Sequence, residues 1–431
     1  MQDVLKFLQA GNFHQALVEL YGLGCVHSTD GNRHFDIWPP ASACRSDVEL
    51  RLVNSISADD YPIVSLAEAE SAPLVLLREI ERRLCQVRRY VASTTSECLF
   101  TDSRGNVRWL IRRRNAQWSK YPAAQSPSAR SFLSSHGCFP QTIVVGDSKI
   151  FVERHVLRAT AKPKTQLKVR VSHFVDAARV DWTQTTDTFS VTGLKHEALR
   201  KNSVLTEIQI VRAHDCDVWV APEYAVTKEI VDDVSRALAD APIATLQIAV
   251  PGSYAHLTNA PKPRNRATAL NGCGAELFHS DKLTELTIEL SSDAGKTPRR
   301  LRELIEHPQR VDIIDTEIGL VAVLICKDFC DDAGGLVRAV WDAIAPDWML
   351  IPAMGDENSL AAHKVAAEHF AKLHGVSVVV ANQETGLVRP PTPAPGFVRV
   401  QVLAANRRPT GHHLDVDAGG CTLALSSPVG P

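Results

Sequence analysis

From residue 167 onward the chain alternates between two kinds of segment, and that alternation limits its fold more than any other feature. Short apolar runs rich in β-branched residues, such as "DVWVAPEY", "TLQIAVPGSY", "GLVAVLIC", "DWMLIPAM" and "VSVVVAN", predict buried strands. Between them stand "KHEALRKNSVLTEIQIVRAHDC", "TKEIVDDVSRALAD", "GGLVRAVWDAIA" and "SLAAHKVAAEHFAKLHG". Their apolar residues recur at three- and four-residue spacing, which predicts amphipathic helices. "LKVRVSHF", "RATALN", "ELFHSD" and "VDIIDT" add further strands. Buried strands separated by helices build an α/β fold, with sheets covered by helical layers. The stretch from Glu384 to His413, rich in Pro, Arg and Gly, reads as an excursion from that core.

The part before residue 160 follows a different pattern and predicts a smaller α+β accessory domain. It opens with two short helices around "AGN", has a helix over 72–92, and carries two hairpins. One turns at "SRGN" between "CLFTD" and "VRWLIRRR"; the other turns at "GDS" between "TIVV" and "KIFVERHVL". "ATAKPKTQ" has loop composition and marks the boundary, leaving 1–160 as one domain and 167–431 as the other. Basic residues from Arg78 through "RWLIRRRNAQWSKY" are interleaved with aromatics, a pattern that fits a nucleic-acid or protein partner as well as solvated charges.

A formal net charge of -2 gives no overall pull toward nucleic acid or membrane. No apolar stretch approaches the roughly 20 residues needed to span a bilayer, and the N-terminus lacks the basic start of a leader. The ten cysteines are scattered with no framework spacing. They read as reduced thiols, and the expectation is a cytoplasmic protein.

Three predicted strands end in residues that do not belong inside a sheet. "DVWVAPEY" delivers Glu223, "ELFHSDK" delivers Lys282, and "VAVLICKD" delivers Cys326. Taken singly, each has an ordinary explanation in solvation or packing. Strand ends are also where α/β folds hold ligands, so the coincidence of three points to a site. For Cys326 three readings compete: a packed thiol, a metal pair with Cys330 aided by His363 and His369, or a nucleophile. The cysteine spacing matches no zinc pattern, and no metal or other cofactor is read from the sequence.

A nucleophilic reading explains the residue types. A free thiol ionises near pH ~8.5, so it needs a base or a positive field at neutral pH. Glu223 can take the proton, Lys282 can stabilise the charge that develops on the attacked group, and the backbone N–H of Lys327 lies just past the sulfur.

In their order and context these motifs resemble the nitrilase superfamily, the carbon–nitrogen hydrolases with a Glu-Lys-Cys triad. "VWVAPEY", "NRATALNGCGAELFHSDK" and "GLVAVLICKD" are similar to its three motifs, and "PDWMLIPA", "AAEHFAKLHGVSVVVANQ" and "GGCTLALSSPVG" to its later elements. The resemblance covers roughly residues 167–431 and implies an α-β-β-α sandwich. It implies hydrolysis of a non-peptide C–N bond, amide ahead of nitrile, through a thioester on Cys326. It also implies association into oligomers, a supporting role for Asp328 at the elbow, and a fourth acidic residue after the lysine. For that residue Glu289 is the candidate and Glu285 its rival.

The chain departs from the family after Cys326. Lys327 replaces an aromatic, the Arg-Phe-Pro-Glu continuation is missing, and the helix signature keeps Glu368 alone. Two alternatives to the hydrolase therefore stand: a binding or regulatory module that retains the fold, and an acyltransferase using the same thioester. The final "SSPVGP" also comes early for the family, which leaves strands of the second sheet to be supplied from elsewhere.

Overall fold

The computed structural model describes residues 1–24, 65–71, 73–86, 99–112, 136–145, 147–157, 166–172, 174, 180–257, 262–290, 299–330, 336–374, 376–383, 396–403, 409–416 and 420–424. They divide into two compact units, one built chiefly from residues 1–143 and the other chiefly from 144–427.

In the first unit, helices Gln2–Gln9 and Phe13–Gly24 turn at Gly11, whose φ of 71° suits glycine. Leu5, Leu8, Leu17, Leu20, Leu76 and Ile80 form its core, to which helix Pro73–Gln86 contributes. The "SRGN" hairpin pairs Leu99–Thr101 with Val107–Arg112. Asp102 closes its turn, accepting from the backbone N–H of Arg104 and Asn106. Arg108 of the basic stretch is buried against Asp102 at 3.2 Å, and Trp109 is buried beside it. Residues 113–121 of that stretch, and the side chain of Arg78, lie outside the described set.

The second unit contains two facing sheets. In the first, Ser253–His256, Arg264–Leu270, Ile248–Val250, Val218–Val220, Gln166–Val171 and Gly420–Ala424 lie side by side in that order, with Glu276–Asp281 also on Arg264–Leu270. Helices Glu197–Ala213 and Lys228–Asp240 cover it. Val204, Ile208 and Val211 of one helix and Ile230, Val234 and Leu238 of the other pack on Trp219, Ala249 and Leu270. Thr227 starts the second helix as its cap, accepting from the N–H of Ile230.

The second sheet runs Pro409–Val416, Gly396–Leu403, Ser377–Gln383, Trp348–Met354, Gly319–Val323, Arg310–Thr316, Ser148–Val156 and Thr142–Val145. Helix Glu357–His374 packs on it. The strands Trp348–Met354 and Ser377–Gln383 lie against those of the first sheet, which gives the order helix, sheet, sheet, helix. Two sequence readings are corrected here. Ser148–Val156, assigned above to the accessory domain, pairs in parallel with Arg310–Thr316 and extends the second sheet. Part of the supposed excursion after Glu384 forms two more strands of that sheet, the hairpin of Gly396–Leu403 with Pro409–Val416.

A smaller four-stranded sheet is a further element that the sequence reading did not anticipate. It joins Thr287–Leu290, Arg299–Glu303, Thr188–Leu194 and Val180–Gln184. Phe189, Val191 and Leu301 of this sheet share one apolar cluster with Tyr224 and Met354.

Candidate active site

Two strands of the sandwich end in elbows. After Val218–Val220 the chain passes Glu223 and turns at Tyr224, φ 49°; after Gly319–Val323 it turns at Cys326, φ 44°. A non-glycine residue in this left-handed region costs about 1–2 kcal/mol, and such strain persists where surrounding bonds hold it. Here they do. Cys326 N–H donates to Pro352 O at 2.8 Å, and Phe329 N–H returns to Cys326 O at 3.0 Å, starting the one-turn helix Lys327–Cys330. Glu223 N–H donates to Ala353 O, its carbonyl accepts from Gln383 Nε2 at 2.9 Å, and Tyr224 N–H donates to Ser253 Oγ. Gly252, φ 117°, makes room for this elbow, since a Cβ there would lie 2.6 Å from Pro222 O.

The structure brings Glu223, Lys282 and Cys326 together. Lys282 Nζ donates to Glu223 Oε1 at 2.8 Å and to Glu303 Oε2 at 2.8 Å. Asn265 Nδ2 donates to the same Glu223 Oε1 at 2.8 Å. Tyr224 OH and the N–H of Leu286 hold Glu303, at 2.7 and 3.0 Å. Every one of these charged groups is buried: Glu223, Lys282 and Glu303 are each 1% exposed, and Cys326 is 3%.

One ammonium shared by two buried carboxylates leaves an excess of negative charge, and the proton affinities follow from it. Burial pushes the Glu223 carboxyl above its usual range, with Glu303 adding to the effect against the pull of Lys282. Lys282 is held well above the ordinary lysine value, because the two carboxylates outweigh its burial. The Cys326 thiol is raised by burial first and by the Glu223 charge second. At rest the sulfur is therefore a thiol, not a thiolate. Its Sγ lies 3.8 Å from Met354 O, while Glu223 Oε2 has no partner among the described residues. That oxygen is available to receive a proton.

Asp328 fastens the elbow to the lysine's segment. Its carboxylate accepts from the N–H of Leu283 at 3.0 Å and of Thr284 at 2.7 Å, the two residues after Lys282. Lys327 opens the helix immediately after the sulfur.

The acidic neighbour expected at Glu289 is corrected to Glu303. Glu289 lies on an exposed strand and pairs with Arg300 at 2.7 Å; its rival Glu285 pairs with Arg302 and His307. Glu303 lies in "RRLRELIE", a stretch the sequence reading did not single out. The usable signal was alternation: Leu301, Glu303 and Ile305 are buried while Arg300 and Arg302 are exposed, so Glu303 occupies an inward position. Among the described residues no cluster of three or more metal-ligating side chains occurs, and His369 pairs with Arg338.

No family model matches this chain, and no curated protein does. Among solved structures, an amidase from Nesterenkonia sp. aligns over 62% of this chain and 92% of its own, at 14% identity and a TM-score of 0.40. Nit3 of Saccharomyces cerevisiae, described as a member of branch 10 of the nitrilase superfamily, aligns over 62% and 93%, at 15% identity and a TM-score of 0.40. At these values the likeness carries no assignment of activity to this chain. No helix among the described residues is long and apolar enough to cross a membrane.

Proposed function

We propose that this protein is a thiol-dependent hydrolase of non-peptide C–N bonds, of the nitrilase superfamily, and that its substrates are amides. One observation carries the reading: the Lys282 ammonium bridges Glu223 and Glu303 in a buried site that also holds the Cys326 thiol. Buried charge of this density is costly to a fold and is concentrated where chemistry needs it.

In this reading Glu223 removes the thiol proton as the sulfur attacks the amide carbon, since the resting thiol holds its proton too firmly to ionise first. Negative charge develops on the substrate oxygen, where Lys282 and the backbone N–H of Lys327 stabilise it. Glu223 returns the proton to the departing nitrogen, a thioester remains on Cys326, and the same carboxylate then activates water to release the acid. Glu303 keeps Lys282 charged and fixed throughout.

Amide is favoured over nitrile by the atoms left without partners. Asn265 and Gln383 each spend their amide N–H on Glu223, which fixes their orientation. That leaves Asn265 Oδ1, Gln383 Oε1 and Glu223 Oε2 as buried acceptors with no donor among the described residues. A carboxamide brings N–H donors to such a set; a nitrile brings none.

The burial of Cys326 favours a second reading, a retained fold that binds without turnover. Ammonia release from a panel of amides and nitriles separates the two. The hydrolase reading expects release from amides, an acyl adduct on the intact protein, and loss of both in Cys326→Ala. Absence of release and of adduct across the panel would overturn it. Adding a competing amine acceptor to the same assay distinguishes hydrolysis from acyl transfer by product mass.

A further inference from the structure

A second thiol lies one helical turn from the first and is not used by the mechanism above. Cys330 ends the helix Lys327–Cys330, is 7% exposed, and its Sγ lies 3.9 Å from Cys326 O. His363, which is 0% exposed, lies against Phe329, the residue before Cys330, with ring centroids 6.0 Å apart. Nδ1–H of His363 donates to Ser359 O at 2.7 Å, so Nε2 is the lone-pair nitrogen, and it has no hydrogen-bond partner among the described residues. An unpartnered acceptor this deeply buried is rare in a settled core. Burial alone would lower the proton affinity of this imidazole; contact with the Cys330 thiol and the Ser359 carbonyl raises it instead. A buried base therefore lies against the one-turn helix that carries the buried thiol.

We propose that Cys330 is a resolving thiol, which captures an oxidised Cys326 as a disulfide while His363 accepts the proton. The inference rests on the reading of Cys326 as a reactive sulfur, and the oxidant it requires is a small peroxide. In the first step Glu223 takes the thiol proton as the Cys326 sulfur attacks hydrogen peroxide: an S–O bond forms, the O–O bond breaks, the sulfur is oxidised by two electrons to the sulfenic acid, and the departing hydroxide takes the proton and leaves as water. In the second step the Cys330 thiol gives its proton to His363 and its sulfur attacks the sulfenic sulfur. The S–S bond forms, the S–O bond breaks, and the departing hydroxide takes the proton as water. A disulfide needs Cβ atoms about 3.8 Å apart, and Cys326 stands in the left-handed elbow just before the helix that Cys330 ends. The single turn Lys327–Cys330 that has to adjust for capture is only four residues long. The result is a nucleophile that is parked reversibly and spared oxidation to sulfinic and sulfonic acids.

The test treats the full-length protein with a few equivalents of hydrogen peroxide and follows intact mass, peptide maps and iodoacetamide labelling of Cys326. Wild type is expected to lose two hydrogens, to yield a Cys326–Cys330 linked peptide, and to recover labelling after dithiothreitol. Cys330→Ser and Cys330→Ala are expected to gain oxygen atoms at Cys326 instead and to recover about tenfold less labelling. His363→Leu, with an unchanged melting temperature, is expected to form the link about tenfold more slowly. Two outcomes would overturn the proposal: oxygen addition at Cys326 of wild type with no link, or full recovery in both Cys330 variants. The readout needs no substrate, so a link formed in a protein that hydrolyses no amide would count against the hydrolase reading alone.

Discussion

Asp328 grips the chain just after Lys282: its carboxylate takes the N–H of Leu283 and the N–H of Thr284. The residue two places past Cys326 thereby ties that elbow to the segment that carries Lys282. Asparagine in its place has one acceptor oxygen instead of two and turns an N–H2 toward backbone donors. Asp328→Asn is expected to lower kcat about a hundredfold through misplacement of Lys282 relative to Cys326, with the fold retained by circular dichroism. Unchanged turnover in the folded variant would remove Asp328 from the site.

The same carboxyl predicts a pH signature of stability. Burial raises Asp328 to about 7, above its ordinary value, against the backbone N–H groups of Leu283 and Thr284. A carboxyl raised on folding binds more protons in the native state than in the unfolded one, so its contribution to stability is present at low pH and is lost as pH rises from about 4 to about 7. The difference in melting temperature between wild type and Asp328→Asn is expected to move against wild type across that window and to level off above it. Melts at a series of pH values check this.

Glu303 raises the proton affinity of Glu223 through its charge, second to burial among the raising effects. Glu303→Gln removes that charge, so the acidic limb of the kcat/KM profile, which reports deprotonation of Glu223, is expected to move to lower pH. Turnover is expected to fall by about a hundredfold or more as Lys282 loses a fixed partner. A limb that stays put, or moves up, contradicts the coupling.

Removal of Lys282 leaves two buried carboxylates facing one another without a cation. Lys282→Met is expected to destabilise the fold by about 3–5 kcal/mol. The double variant Lys282→Met with Glu303→Gln is expected to recover part of that loss. Urea titrations of the two variants measure it, and equal stability would show that the carboxylates do not repel across the gap.

Gly252→Ala tests the other elbow. A Cβ there meets Pro222 O at 2.6 Å, and φ of 117° is unfavourable for alanine. The expected cost is about 1–3 kcal/mol in stability, with a loss of turnover larger than at control glycines because Pro222 immediately precedes Glu223.

The strands of the sandwich were legible because apolar runs such as "GLVAVLIC" have no alternative to burial, and the elbows because Glu223 and Cys326 each end such a run. What escaped the sequence is chiefly polar structure. Strand Arg299–Glu303 carries three arginines, and its pairing with Thr188–Leu194 spans more than a hundred residues, so no local pattern announces it. Tyr224, Asn265 and Gln383 were missed for a different reason. Their roles depend on where a neighbour's oxygen falls, which no spacing encodes. Glu289, like Glu303, neighbours apolar residues in the sequence, but it is exposed beside Arg300 whereas Glu303 is buried against Lys282.

Glu303 reaches Lys282 from the four-stranded sheet, whereas Glu223 and Cys326 come from the sandwich itself. Its strand is tied to the hairpin by Arg302 N–H to Asp187 O and by Leu304 N–H to Phe189 O. The length of the loop Thr185–Asp187 thus becomes a dial on the spacing of the two carboxylates, set by a segment that contributes no side chain to the chemistry.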